Sequence, residues 1–143
     1  MKTPEEFYSE MGVDWLSARK SNDLTESELS YLTKILRKDS KILDLACWYG
    51  RFSIPLAEDW YTVYGMDITQ IFIERAKEEA KKGKLKIEFR VGNMQMIPYP
   101  EDSFEHVICM WNAFSELSTD QEQIAVIQKI YGAPRVTGWR LLK

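Results

Sequence analysis

The sequence holds one histidine, His106, and two cysteines, Cys47 and Cys109. The cysteines form no CxxC pair and His106 has no ligand-spaced partners, so no metal site is expected. No apolar run is long enough to cross a bilayer, and no apolar secretory core follows Met1. No charge sign dominates: 19 Lys and Arg face 22 Asp and Glu, for a net charge of -3. That balance argues against a nucleic-acid partner or an anionic membrane surface. Repeats and low-complexity segments are absent. Two free thiols in a chain without an export signal fit a reducing, cytoplasmic setting. What is present is a 143-residue chain, 45% apolar and 29% charged. It is expected to form one globular domain with a full core.

The organising stretch is Lys41 to Phe52. Ile42-Leu43 and Leu45-Ala46 flank one carboxylate, Asp44. A small-residue turn leads to Gly50, and Phe52, Ile54, Leu56 and Ala57 then mark an amphipathic helix. This reads as a buried strand, a tight turn and a helix start, whose free N–H groups and dipole favour a ligand. Upstream, Met1 to Asn22 mixes charges with Phe7, Tyr8, Met11 and Trp15. It is read as one or two short helices, or as a cap over a cleft. Thr25 to Arg37 is predicted as a helix, with Thr25 and Glu28 at capping-box spacing. Its apolar stripe is Leu29, Leu32, Ile35 and Leu36.

Downstream, Trp60 to Met66 predicts a second strand ending at Asp67. Thr69 is expected to cap a helix that turns Ile71, Phe72, Ala76 and Ala80 inward and stops at Lys81-Lys82-Gly83. Leu85 to Val91 is a third strand and His106 to Trp111 a fourth. Thr119 and Glu122 repeat the capping-box spacing before a helix marked by Ile124, Ile127 and Ile130. Trp139 to Leu142 can form a short fifth strand.

Strands alternating with helices imply parallel pairing and right-handed crossovers. Ligands of such sheets sit beyond the carboxyl ends of the strands, where Asp44, Asp67, Asn93 and Asn112 fall. Asp67 lies 17 residues after Gly50, where a carboxylate can take the ribose hydroxyls of a nucleotide-like ligand.

Four blocks together resemble class I S-adenosylmethionine-dependent methyltransferases. Ile42 to Ala57 resembles the first motif and Val63-Tyr-Gly-Met-Asp-Ile68 the acidic second. Phe89 to Met94, with Ile97 to Phe104, resembles the third. Glu105 to Asn112 resembles the fourth strand. The resemblance implies an α/β fold: an open, mainly parallel Rossmann-like sheet of about five strands in the order 3-2-1-4-5, helices on both faces. The antiparallel strands that usually close such a sheet are not expected here. The expected layout is one domain over 1-143, with a cap segment at 1-24 and a core at 25-143.

The same resemblance implies S-adenosylmethionine as cofactor and a small-molecule acceptor. Ala46, Cys47, Trp48 and Gly50 would line the methionine part, and Asp44 would support that turn and face the amino group. Asp67 would hold the ribose, at little cost in stability when replaced. Ile68 would lie against the adenine, Asn93 at its amino group and Met94 beside the ring. Trp111 and Asn112 would lie near the transferred methyl, and Tyr8 and Trp15 would shape the acceptor pocket. No catalytic residue is assigned, because methyl transfer needs alignment more than a base; His106 is read as structural.

Two departures stand out. The family turn usually carries three glycines, and Ala46 and Trp48 replace two of them. Ala46 is harmless if its backbone is ordinary; the Trp48 indole is expected to face outward over the cleft mouth. The alternative is a non-catalytic member of the fold serving as a binding subunit. A nicotinamide dinucleotide enzyme is disfavoured by the absence of G-x-G-x-x-G. An uncovered sheet edge would favour homo-oligomers.

Overall fold

The computed structural model describes residues 1–18, 22–131 and 141–142. In chain order the elements are α1 (Pro4–Ala18), α2 (Asn22–Ile35), β1 (Lys41–Leu45), α3 (Ser53–Glu58) and β2 (Thr62–Asp67). Then follow α4 (Gln70–Lys82), β3 (Glu88–Val91), β4 (His106–Cys109), α5 (Asp120–Tyr131) and β5 (Leu141–Leu142). The strands form one sheet in the order β3-β2-β1-β4-β5, and every pairing is parallel. This is the expected order. The Trp139 and Arg140 part of the expected last strand lies outside the described residues.

Strand alternation sends successive side chains to opposite faces. On one face Leu43, Leu45, Val107 and Cys109 pack with Val126 and Ile130 of α5. On the other, Ile42, Val63 and Ile108 pack with Leu32 and Leu36 of the α2 segment and Leu56 of α3. Cys47 and Phe89 meet Ile73, Ala76 and Ala80 of α4. The sheet is therefore covered on both faces, as parallel sheets require. His106 is structural: its Nε2 accepts the Arg37 backbone N–H at 3.0 Å, tying the end of α2 to β4.

Several expectations shift. α2 starts at Asn22, so Thr25 and Glu28 are helix interior and form no capping box. Their side chains instead receive Arg51: Nε donates to Thr25 Oγ1 at 3.0 Å and Nη2 to Glu28 Oε2 at 2.7 Å. The second capping box forms as expected: the Thr119 N–H donates to Glu122 Oε2 at 3.0 Å, and the Glu122 N–H to Thr119 Oγ1 at 3.2 Å. In α5 the buried stripe is Val126 and Ile130, while Ile124 is exposed. Thr69 stands at the start of α4 but makes no side-chain capping bond; its own backbone N–H is held by Asp67 Oδ1. The N-terminal segment is two short helical arms that meet at Gly12, where φ 75 and ψ 172 break the helical backbone, within the expected one or two helices.

Candidate functional site

Beyond the carboxyl ends of the central strands lies a cleft of about 770 Å³. That is within the roughly 300–1,000 Å³ typical of small-molecule sites. Its floor comes from the turn after β1, through Ala46 and Trp48, and from the end of β2, through Asp67 and Ile68. Asn93 and Met94 follow β3, and Trp111 and Asn112 follow β4. The far wall is α1, with Tyr8 and Trp15 facing the same space. Ten of the thirteen residues singled out from sequence thus share one cleft, with residues of α1 along one wall.

Asp44, Cys47 and Gly50 do not border it. Asp44 is 1% exposed; its Oδ2 accepts the Ser53 hydroxyl at 2.6 Å. It braces the turn from behind and does not reach a ligand directly. Burial, with Asp67 adding repulsion, pushes its carboxyl up to about 7 against the bonds from Ser53. Cys47 turns its thiol down onto α4, and burial raises that thiol well above its ordinary value. Gly50 adopts φ +84, and a Cβ there would press on Ile54 at 3.0 Å. Only glycine fits both demands without strain.

Asp67 is 5% exposed and already occupied. Oδ2 accepts the Trp48 N–H and Oδ1 the Thr69 N–H, both at 2.9 Å. Burial raises its carboxyl, and the two N–H bonds pull it back. The carboxylate fastens the β1 turn to the start of α4, so the expectation that it matters little for stability is corrected. Each oxygen keeps a further lone pair for a ligand hydroxyl.

The turn itself is left-handed at Ala46 (φ 55) and Trp48 (φ 53). Ala46 is therefore not in ordinary backbone, and the condition under which it would be harmless is not met. The Trp48 indole lies 6.5 Å from that of Trp111, tilted by 31°. It forms part of the wall and leaves the cleft open. Asn93 Oδ1 accepts the Gln95 N–H at 2.9 Å, which caps the 3-10 turn Met94–Met96. Across the cleft the Tyr8 hydroxyl donates to Glu116 Oε1 at 2.5 Å. Burial, then Glu116, raises that hydroxyl.

Sequence reasoning missed two residues. Arg51 is buried, with its guanidinium 4.6 Å from the Phe52 ring centre and 5.2 Å from that of Trp111, and it supports the wall from outside. Glu116 carried no motif; only its place just past the fourth strand marked it. Among the described residues no group of acidic, histidine and cysteine side chains could hold a metal ion. None of their helices is long and apolar enough to cross a membrane.

Known proteins match this architecture. A ubiquinone biosynthesis O-methyltransferase from Pelagibacter ubique is 40% identical over 60 residues, which is 42% of this chain and 25% of that protein. The chain spans about a quarter of the length of the first curated relatives it matches. A SAM-dependent methyltransferase from Methanosarcina mazei superimposes with a TM-score of 0.68 at 25% identity, covering 78% of this chain and 55% of that one. A Haemonchus contortus phosphoethanolamine N-methyltransferase, solved with phosphoethanolamine and S-adenosylhomocysteine, gives a TM-score of 0.71 at 24% identity. It covers 86% of this chain and 26% of that one, and shows likeness of fold alone. Residues 42–138 match the methyltransferase domain family, most of the chain from the first strand onward, and the chain belongs to that family.

Proposed function

We propose that this domain binds S-adenosylmethionine in the cleft and transfers its methyl group to a small-molecule acceptor. The observation that carries the reading is Asp67: a buried carboxylate ends β2, borders the cleft and fixes the glycine-poor turn through Trp48 N–H. The cofactor supplies an electrophilic methyl on a sulfonium; the protein aligns the acceptor against it in a dry site.

In this reading Asp67 accepts ribose hydroxyls through its remaining lone pairs. Ile68 and Met94 flank the adenine, and Asn93 meets its polar edge. Ala46 and Trp48 border the methionine part, with Asp44 holding the turn through Ser53. Cys47 and Gly50 act from behind that turn, as packing and backbone geometry. Trp111 and Asn112 lie toward the transferred methyl, with Tyr8 and Trp15 on the acceptor side. Residues 1–24 serve as the cap and 25–143 as the core of one domain. A small acceptor is favoured over RNA, although rRNA methyltransferases are among the relatives, because the chain carries a net charge of -3 and phosphate contacts need basic side chains.

Calorimetric titration with S-adenosylmethionine, S-adenosylhomocysteine and NAD tests the reading. Saturable binding of the first two and none of NAD is expected. Binding of NAD alone, or of none of the three, overturns it.

A further inference from the structure

We propose that the acceptor is an amine, bound as its ammonium, and that Glu116 selects it; this rests on the methyl-transfer reading above. The ammonium passes one proton to Glu116 Oε2 before its freed lone pair takes the methyl, and the sulfonium leaves as a neutral thioether. The charge of the cleft is one-sided. Glu5, Asp67, Glu116 and Glu122 border it, and no Lys, Arg or His does so among the described residues. The carboxylates feel one another: Glu116 acts on Asp67, and both act on the Tyr8 hydroxyl between them.

The carboxylates differ in what they have left to offer. Asp67 holds two backbone N–H groups. Glu122 holds the start of α5 through the Thr119 N–H and takes further bonds from Ser118 and Gln95. Glu116 accepts one hydroxyl, from Tyr8, through Oε1. Its Oε2 has no hydrogen-bond partner among the described residues. Of these three, Glu116 is thus the carboxylate placed to pair with a ligand cation at small cost in existing bonds.

The walls suit the same ligand. Phe7 and Tyr8 meet edge to face at 5.2 Å and Phe7 and Trp15 at 6.0 Å, and all three border the cleft with Trp48 and Trp111. Ring faces attract cations, most strongly where water is excluded. A phosphorylated or carboxylated acceptor meets the opposite situation: like charges and no cationic partner among the described lining residues. An alcohol can hydrogen-bond Glu116 but gains nothing from the field.

The test compares three ligands on one skeleton: phenethylamine, 2-phenylethanol and phenylacetate. Binding is followed by tryptophan fluorescence at pH 7.5, without cofactor, since Trp15, Trp48 and Trp111 border the cleft. The amine is expected to bind at least about tenfold tighter than the alcohol, with the carboxylate weakest. Glu116→Gln should weaken the amine about ten- to a hundredfold, the range of a charge-assisted bond, and leave the alcohol nearly unchanged. Equal binding of the three, tightest binding of the carboxylate, no saturable binding at all, or an unaltered Glu116→Gln variant overturns the proposal. Parallel calorimetry with S-adenosylhomocysteine separates the two readings. Cofactor binding without amine preference removes the acceptor class and leaves methyl transfer standing. Amine preference without cofactor binding supports the amine site and removes methyl transfer.

Discussion

Ala46 and Trp48 carry left-handed backbone without the residue that adopts it freely. Such a conformation costs an L-residue about 1–2 kcal/mol. Glycine removes that cost but gives the unfolded chain more freedom, which offsets part of the gain. Ala46→Gly should therefore raise stability by about 0.5–1 kcal/mol, seen as a higher denaturation midpoint at unchanged slope. A lower midpoint would show that the turn is not strained there. Asp44 makes a second, pH-dependent expectation. Its carboxyl titrates near 7 when folded and at its ordinary 3.8 when unfolded, so between those values the folded state binds the extra proton. Stability from this group is then fully present below about pH 4 and is lost as pH rises to about 7. Thermal melts should show a lower Tm at pH 8 than at pH 5, and Asp44→Asn should flatten the difference, because the amide still accepts from Ser53. An equally steep profile in the variant would assign the effect to other groups, Asp67 first.

Helix α1 is the element whose role depends on a single backbone setting. Gly12 combines φ 75 with ψ 172, a region open to glycine and little else. The bend lets Phe7 and Tyr8 on one arm and Trp15 and Leu16 on the other border the same cleft. A Cβ at Gly12 meets nothing within 4 Å, so a substitution there acts through backbone strain and not through a clash. Gly12→Ala should cost about 1–3 kcal/mol locally. Amide exchange over residues 4–11 should quicken while β1 and β4 keep their protection; unchanged exchange in that arm would mean the bend is not needed. Helix α2 shows why local signals mislead. Thr25 and Glu28 have capping-box spacing, yet a helix that begins at Asn22 places both on a face where Arg51 reaches them from the β1 turn. A contact across 26 residues of sequence overrides a four-residue pattern, and nothing local announces it. At Thr119 and Glu122 no such competitor intervenes, and the pattern forms.

For the whole molecule, the sheet order was legible because β1, β2 and β4 carry short apolar runs and β3 alternates, each with a polar residue near its end and an interval of helix length to the next. Those ends also brought Asp67, Asn93 and Asn112 to one cleft. Asp44 stands one residue from its strand's end and drops behind the turn; side-chain direction, not sequence position, decides which carboxylate faces the ligand. Asp67 joins the two levels, since the same oxygens that would meet a ribose already close the fold. Asp67→Ala should lower stability by about 1–3 kcal/mol, because a buried and a part-buried N–H group lose their acceptor. In the wild type, S-adenosylhomocysteine at a hundred times its Kd should add about 2.7 kcal/mol, or roughly 5–10 °C in Tm. In the variant a tenfold weaker complex at the same ligand concentration should give about half that shift. Both effects are read in one pair of melts, with and without ligand. A variant that starts lower but shows the full ligand shift would leave Asp67 as a brace of the turn and remove it from the ribose.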